Sequence, residues 1–264
     1  MFHTIALQRS ELPNLVATLT ANNPKILFIH GCTETAELWF ALMKALADIG
    51  INSAAIDLRG HGKSDGHDSI QSFGIIDYVE DAKAILNQLS SIKIVVGHSM
   101  GGLVTQKLAS ELALDHIVLI ASSPVTGMKE DVIRMVRKHP WTFFMSYLRR
   151  SFKRLYLSEH VTKSLLFHSK TPDSVVRKTM SMLQEDSWKA GNELKTILPD
   201  PHSIRCPVTV IGGQLDFMVS HKSMEATALA YKTKAIYLEN CAHMVPIEAE
   251  PMFLARLLKK CIGL

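Results

Sequence analysis

Short apolar segments alternate with amphipathic helical periods over residues 1–123, and this alternation restricts the possible fold more than any other feature. Four of the apolar segments are continuous, which predicts strands buried on both faces of a parallel sheet. They lie at residues 25–30, 53–57, 92–96 and 116–121. Two further strands are predicted at residues 4–8 and 15–20, and helices at residues 36–49, 75–89 and 100–112. Strand–helix alternation is typical of βαβ units and predicts an α/β fold.

The strand pattern stops at Pro124 and returns only near residue 207. Helical periods fill the interval, at residues 125–139, 141–155, 158–166, 172–184 and 187–198. Beyond it we predict strands at 207–211 and 235–239, and helices at 220–231 and 251–261. The simplest domain organisation is one α/β core, residues 1–123 and 200–264, with residues 124–199 inserted as a helical cap.

Composition excludes several classes of protein. With 47% hydrophobic residues the chain is too apolar for intrinsic disorder, and a net charge of +4 is too small to indicate a nucleic-acid partner. No apolar run approaches the roughly 20 residues that span a bilayer. Arg9 and Glu11 lie where a signal peptide has its apolar segment. The sequence therefore predicts a soluble, cytoplasmic protein.

The four cysteines are scattered, at positions 32, 206, 241 and 261. They form no CxxC pair and no Cys/His spacing typical of a metal site. In a chain without a recognisable secretion signal, this usage favours free thiols over a disulfide framework. We expect neither a metal nor a cofactor.

The strongest motif is Gly97-His98-Ser99-Met100-Gly101, which matches G-x-S-x-G between a predicted strand and a predicted helix. A serine on such a sharp turn has a strained backbone, and its hydroxyl projects from the carboxyl edge of the sheet. The flanking positions must be small because strand and helix approach closely there. The motif predicts that Ser99 is a nucleophile.

A serine nucleophile needs a base, and the base needs an orienting acid. The chain order expected for this motif is serine, acid, histidine. Asp216 follows the strand predicted at 207–211, and His243 follows the strand predicted at 235–239. Both therefore emerge at the same edge of the sheet as Ser99, and we predict Asp216 as the acid and His243 as the base.

Three other carboxylates compete with Asp216 for the acid role. Glu239 ends the last predicted strand and is the main alternative, since it lies close to His243 in the chain. Asp186 is a second alternative. Asp200 stands between two prolines before its strand begins, which places it at the wrong edge of the sheet.

Acyl transfer also needs donors for the developing oxyanion. The backbone N–H of Met100, directly after the nucleophile, is one predicted donor. The second is the N–H of Cys32, because Gly31 lets the loop after the strand at 25–30 turn this amide toward the site. A reactive Cys32 thiol is the less favoured alternative. His30 and His98 are interpreted as scaffold residues, with substrate contact left open.

The chain resembles the α/β-hydrolase superfamily, in particular serine members with a helical cap. The resemblance lies in FIHGCTETAELW (28–39), IDLRGHGKSDG (56–66), GHSMGG (97–102), GGQLDFMV (212–219) and AHMVPIEAEPMF (242–253). It implies an eight-stranded, mostly parallel sheet with the cap after the sixth strand, and a structural role for the loop at 59–62. Ser220 and Ala242 depart from the common Pro and Gly of the family.

The resemblance and the serine together imply a hydrolase of carboxylic esters or thioesters with small to medium apolar acyl groups. A serine argues against dehalogenase and epoxide-hydrolase chemistry. Carbon–carbon bond hydrolysis, perhydrolysis and acyl transfer on the same triad stay open, as does a ligand receptor without turnover. The expected partner is a small-molecule substrate; oligomeric state is not predicted.

The predicted cap combines two signals. Residues 125–198 contain 14 Lys and Arg against 7 Asp and Glu, and a basic run occupies residues 149–154. Apolar residues also cluster in this segment, among them Trp141, Phe143 and Phe144. They suit an acyl chain, or they pack the cap on the core. The basic run is interpreted as a solvated helix face, with weak contact with an anionic substrate or a membrane surface left open. We expect apolar contacts to dominate substrate selection.

Overall fold

An eight-stranded sheet forms the centre of the computed structural model, which describes residues 2–264. The strands are β1 (His3–Leu7), β2 (Leu15–Leu19), β3 (Ile26–Ile29), β4 (Ser53–Asp57), β5 (Ile94–His98), β6 (His116–Ile120), β7 (Val208–Gly213) and β8 (Ala235–Leu238). Their order across the sheet is β1-β2-β4-β3-β5-β6-β7-β8. The pairs β1–β2 and β2–β4 are antiparallel and all other pairs are parallel. The predicted mostly parallel sheet is confirmed.

The α-helices cover both faces of this sheet and form the segment between β6 and β7. They are α1 (Phe40–Asp48), α2 (Ile75–Gln88), α3 (Met100–Glu111), α4 (Lys129–Lys138), α5 (Pro140–Arg149), α6 (Glu159–Leu166), α7 (Asp173–Met182), α8 (Trp188–Glu193), α9 (His221–Ala230), α10 (Val245–Glu248) and α11 (Pro251–Ile262). Short 3-10 helices cover Ala36–Trp39, His67–Ser72, Lys153–Tyr156 and Pro201–Ser203.

The parallel strands are buried on both faces, as their continuous apolar sequences predict. In β3, Ile26 and Phe28 join the core beneath α1 and α11, whereas Leu27 and Ile29 join the core beneath α2 and α3. Because side chains alternate along a strand, one four-residue strand supplies both cores. Because both faces of the sheet are packed against helices, the loops at its carboxyl edge begin from fixed positions.

Two elements of the core differ most from their predicted bounds. Strand β5 ends at His98 rather than at residue 96, because Gly97 and His98 pair with Leu119 and Ile120 of β6. The predicted strand begins at residue 92, whereas β5 begins at Ile94, because the N–H of Ile92 bonds to the carbonyl of Leu89 in a turn that precedes the strand. The helix predicted at 36–49 is divided into a 3-10 turn, Ala36–Trp39, and helix α1.

Five helices, α4 to α8, lie between β6 and β7 in the segment predicted to be a cap. They are shorter than predicted. A turn at Gly127 delays α4 to Lys129, and the left-handed backbone of Arg150 ends α5. The division into core and cap stays a prediction. None of the helices within residues 2–264 combines the length and the apolar character needed to cross a membrane.

Candidate active site

Ser99 occupies the turn between β5 and α3 with a strained backbone, φ 50° and ψ −116°. The turn is tightly packed. A Cβ atom on Gly97 would lie 2.3 Å from the carbonyl oxygen of Gly101, and one on Gly101 would lie 2.4 Å from that of His30. Only glycine fits at either position, which explains the spacing of the motif. The strain is retained because the surrounding strands fix the turn.

Ser99, His243 and Asp216 form a hydrogen-bonded chain. The Nε2 atom of His243 lies 3.1 Å from the Oγ of Ser99, and its Nδ1 lies 3.0 Å from Oδ2 of Asp216. An ionised carboxylate only accepts hydrogen bonds, so Nδ1 carries the proton. Nε2 is then left to accept the hydroxyl proton of Ser99. This is the tautomer that a general base requires.

The backbone after β7 fixes the carboxylate of Asp216. Its Oδ1 accepts hydrogen bonds from the amides of Met218 at 2.7 Å and Val219 at 2.9 Å, and its side chain is fully buried. Glu239 is instead exposed at the surface. Asp200 accepts a hydrogen bond from the His202 amide at the start of a short helix. Of the predicted acids, the structure brings Asp216 to His243.

The two residues predicted to provide the oxyanion donors, Cys32 and Met100, also lie close together near Ser99. The Sγ of Cys32 is 3.5 Å from the Sδ of Met100, and a Cβ on Gly31 would lie 2.9 Å from the Cβ of Ser99. Met100 is the first residue of α3, so its amide has no acceptor within the helix. Burial raises the pKa of the Cys32 thiol well above its ordinary value. The thiol therefore stays protonated and is a poor nucleophile.

The loop that carries Cys32 is held by the segment after α7, a feature that the sequence analysis missed. Thr33 has a left-handed backbone with φ 63°, which is rare for a β-branched residue. Its amide donates to Oδ2 of Asp186 at 2.6 Å, and its carbonyl accepts from the amide of Gln184 at 2.7 Å. The side-chain oxygen of Gln184 also accepts from the amide of Gly62 at 2.9 Å. Asp186 thus holds the loop rather than orienting the base.

Asp186 is a charged residue in a buried polar cluster. Its Oδ1 accepts from the amide of Ser187 at 2.6 Å and from the hydroxyl of Tyr78 at 3.3 Å. His61 Nε2 lies 3.3 Å from Oδ2, within ion-pair distance. Burial opposes ionisation of both groups, but their mutual attraction outweighs it. The pKa of Asp186 is lowered and that of His61 is raised.

His98 links the loops on either side of Ser99. Its Nδ1 lies 2.9 Å from Oε2 of Glu34, and its Nε2 lies 3.0 Å from the carbonyl oxygen of His243. Both partners only accept, so both ring nitrogens carry protons and His98 is an imidazolium. Burial alone lowers the pKa of His98, but the Glu34 carboxylate raises it overall. Glu34 also accepts from the amide of Gly31 at 2.6 Å.

His30 has the opposite charge state to His98. Its Nε2 accepts a hydrogen bond from the amide of Leu58 at 3.2 Å, and its Nδ1 lies 2.9 Å from the carbonyl oxygen of Gly31. Burial, together with repulsion from His61, lowers its pKa to about 4. His30 is therefore neutral. It and His98 are fully buried, in agreement with their interpretation as scaffold residues.

An apolar cavity of about 460 Å³ opens beside Ser99 and His243. Most of its wall comes from the helices between β6 and β7, including Met128, Val132, Met135, Phe143, Phe144 and Leu155. The aromatic residues at 143 and 144 therefore face the cavity, whereas Trp141 does not line it. Within residues 2–264, no group of three or more His, Cys, Asp or Glu side chains is arranged to hold a metal ion.

Part of the chain is similar to a curated enzyme. It is 29% identical over 123 residues to pimeloyl-[acyl-carrier protein] methyl ester esterase from Pectobacterium carotovorum subsp. carotovorum (strain PC1). The match covers 43% of this chain and 46% of that enzyme. The chain thus matches about half the length of this relative.

The whole chain is similar in fold to solved hydrolase structures. A thermophilic esterase from Thermogutta terrifontis superposes with a TM-score of 0.75 at 19% identity, covering 98% of this chain and 97% of that one. The enol-lactonase from Burkholderia xenovorans LB400 superposes with a TM-score of 0.71 at 16% identity, covering 96% and 97%. At these identities the similarity establishes the fold alone, the α/β-hydrolase fold.

The sequence pattern of one known family matches residues 20–250, which include most of the sheet and every residue of the hydrogen-bonded chain at Ser99. The family is described as "Serine aminopeptidase, S33", within the hydrolases. The fold, the strained serine turn and the order serine, aspartate, histidine agree with this match. The chain belongs to this α/β-hydrolase family.

Proposed function

We propose that this protein is a serine hydrolase that cleaves carboxylic esters or thioesters of small to medium apolar acyl groups. One observation carries the proposal: the Ser99–His243–Asp216 chain of hydrogen bonds ends at an apolar cavity of about 460 Å³. The names of the relatives, two esterases and a lactonase, support ester chemistry. The helices between β6 and β7 act as the cap that selects the acyl group.

Acylation begins when the Oγ of Ser99 attacks the acyl carbonyl carbon and His243 Nε2 accepts the hydroxyl proton. Asp216 stabilises the resulting imidazolium and keeps its ring oriented. The carbonyl oxygen becomes an oxyanion, which accepts hydrogen bonds from the amides of Cys32 and Met100. The bond from carbonyl carbon to the leaving oxygen or sulfur then breaks, and the leaving group takes the proton from His243. The product is an acyl-Ser99 ester.

Deacylation repeats these steps with water. His243 accepts a proton from the water as its oxygen attacks the acyl carbon, and the same two amides stabilise the second oxyanion. The bond to the Oγ of Ser99 breaks, and the proton returns from His243 to Ser99. Free carboxylic acid leaves through the cavity, and the enzyme is regenerated.

The charges around the cavity favour an apolar acyl group over the free ammonium group of an aminopeptidase substrate. Among the described residues that line the cavity, Glu34 provides the one carboxylate. Its Oε2 already bonds to the amide of Gly31 and to the imidazolium of His98. Burial of Glu34 opposes its ionisation, but the charge of His98 lowers its pKa overall. The charge of Glu34 is thus already paired with that of His98, and an ammonium group would find no uncompensated carboxylate there.

The test is a panel of p-nitrophenyl esters from acetyl to dodecanoyl, measured beside S-acyl thioesters and an aminoacyl p-nitroanilide. We expect turnover of esters with medium-length acyl groups and none of the anilide. Turnover of the anilide alone would replace the proposal with aminopeptidase activity. Saturable binding of acyl ligands without turnover would indicate a receptor. The cytoplasmic location stays a prediction from the sequence.

A further inference from the structure

Helix α5 exposes a row of large apolar side chains, here named the aromatic face: Trp141, Phe144, Tyr147 and Leu148. Their exposed fractions are 71%, 51%, 69% and 59%. The rings of Trp141 and Phe144 contact one another, with centroids 5.5 Å apart. Single exposed apolar residues are ordinary, whereas contiguous groups of large apolar side chains are typical of interaction sites.

The aromatic face continues into the cavity. Phe144 and Tyr147 line the cavity as well as the surface, and the ring of Tyr147 meets the edge of Trp188, which also lines it. The face is therefore the rim of the entrance to Ser99. Whatever covers it can deliver a ligand to the cavity without passing through bulk water.

A group of unpaired cations adjoins this rim. Arg149 and Arg150 end α5, and Lys153 and Arg154 follow in the next 3-10 turn. Within residues 2–264, none of these four forms a salt bridge. Arg134, Lys163, Arg177 and Lys189 of the same insertion are paired with carboxylates, and among the described residues its other cations are unpaired too, but four of the unpaired ones lie together in residues 149–154. The carboxylate of Glu185 accepts hydrogen bonds from the backbone amides of Phe152 and Lys153 within this segment, but four basic side chains outnumber it. The group thus presents a net positive charge beside an exposed aromatic surface.

We propose that α5 and the basic residues 149–154 dock this protein onto a membrane surface that contains anionic lipid. Interfacial helices combine tryptophan, phenylalanine and leucine on one face with adjacent lysine and arginine, and Trp and Tyr rings favour the headgroup region. The aromatic face enters this region while the cations contact the lipid headgroups. Acyl esters dissolved in the membrane then reach Ser99 through the rim. This last step rests on the proposed function; docking does not.

The positive charge of the basic residues favours an anionic membrane over a second copy of the chain as the partner of the aromatic face. A two-fold dimer through the aromatic face would bring two identical basic groups together, since such interfaces use the same patch on both subunits. An acidic protein would match the charge, but three exposed aromatic rings beside an open apolar cavity fit a lipid surface better. Each basic residue near an anionic surface strengthens binding about fivefold.

Docking is measured by co-sedimentation of the full chain with vesicles of phosphatidylcholine alone or with 30% phosphatidylglycerol. We expect binding to the anionic vesicles, weakened by added salt, and little binding to the neutral ones. Arg149→Glu/Arg150→Glu is expected to reduce the partition coefficient by at least about 25-fold. Trp141→Ser/Leu148→Ser is expected to reduce it about tenfold or more.

Control variants elsewhere on the protein test whether binding depends on α5 and the basic residues 149–154. Lys259→Glu/Lys260→Glu makes the same charge change on α11, and Leu229→Ser removes an exposed leucine from α9. Both controls are expected to bind anionic vesicles like the wild type. Neither test pair lines the cavity, so turnover of a water-soluble acetyl ester is expected to stay unchanged in every variant.

Failure to bind anionic vesicles would overturn the proposal, as would binding that the test pairs and the control variants reduce equally. A concentration-dependent dimer abolished by Trp141→Ser, without vesicle binding, would assign the face to a second copy. Binding to an acidic carrier protein, lost in Arg149→Glu/Arg150→Glu and again without vesicle binding, would assign it to a protein partner. Vesicle binding needs no turnover, so these outcomes are independent of the esterase assay.

Discussion

Two buried aspartates near Ser99 have different partners and therefore different roles. Asp216 bonds to the base His243, whereas Asp186 bonds to the amide of Thr33, next to a proposed oxyanion donor. Both carboxylates are buried and held by backbone amides. The sequence positions of the two aspartates do not distinguish these roles, because each role depends on which residue the carboxylate contacts in the folded chain.

Replacing Asp216 with Asn is expected to reduce kcat by about 10³–10⁴, since the same change of the triad aspartate in a serine protease costs about 10⁴. The amide no longer fixes the tautomer of His243 or stabilises its cation. Glu239→Gln is the matched control and is expected to change kcat less than about threefold, since Glu239 is exposed. Steady-state kinetics on one ester measure both. A larger loss in Glu239→Gln would show that the acid is misassigned.

Asp186→Asn is expected to reduce kcat about 10- to 100-fold with little change in KM. Removing one oxyanion donor outright costs about 10²–10³, and here the donor at Cys32 is only displaced. The new amide cannot accept hydrogen bonds from both Thr33 and Ser187 as the carboxylate does. Asp173→Asn, an exposed aspartate of α7, is the control. An unchanged kcat in a folded Asp186→Asn variant would exclude a positioning role.

The elements of the core follow their sequence patterns closely, because apolar continuity and helical period are local properties. Strand β4 and helix α2 lie within one residue of their predicted bounds. The local sequence pattern does not predict the last residue of β5, since pairing with β6 decides where the strand ends. The contact between Thr33 and Asp186 spans 153 residues, and no local pattern indicates it. Local rules therefore predict the triad candidates but not the residues that hold their loops.

One side of helix α5 faces the cavity and another is exposed at the surface, so substitutions on the two sides are expected to have different effects. Phe143 lines the cavity and packs on the core, whereas Trp141 is exposed and lies outside the cavity lining. Each methylene of a buried acyl chain contributes about 0.8 kcal/mol, or roughly fourfold in kcat/KM. We expect kcat/KM for soluble esters to rise from acetyl to octanoyl in the wild type, with only weak dependence on ionic strength.

Phe143→Ala is expected to flatten this rise with acyl length, because part of the apolar wall is removed. Trp141→Ala is the matched control on the same helix and is expected to preserve it. The measurement is kcat/KM across the ester series below the concentration at which micelles form. A trend that Trp141→Ala flattens and Phe143→Ala preserves would show that the surface rather than the cavity selects the acyl group.

The ion pair of Glu34 and His98, with a hydrogen bond from His98 to the carbonyl of His243, joins three segments at the carboxyl edge of the sheet. Glu34 follows β3, His98 ends β5, and the carbonyl of His243 follows β8. The pKa of His98 is raised, so its contribution to stability is complete below about pH 6.5 and is lost as pH rises through the folded-state value. The pKa of Glu34 is lowered, so its contribution is lost at low pH.

Glu34→Gln is therefore expected to reduce the free energy of unfolding by up to about 3–5 kcal/mol near pH 6, because the buried His98 must then either keep its charge without a partner or give up its proton. The difference from the wild type is expected to shrink as pH rises through the folded-state pKa of His98, because the wild type then loses the charge on His98 as well. Urea unfolding at pH 6 and pH 9 measures it. A difference that grows with pH would show that His98 is neutral in the folded state.

The most direct test of the central claim is the labelling of the full chain with a serine-directed alkyl fluorophosphonate, located by peptide mass spectrometry. We predict one label on Ser99, and that Ser99→Ala loses both label and esterase activity while remaining folded. Ser123→Ala is the matched control, since Ser123 lines the same cavity and, among residues 2–264, its hydroxyl has no hydrogen-bond partner. It is expected to keep both. A label on Cys32 or Ser123, with activity retained in Ser99→Ala, would contradict the account.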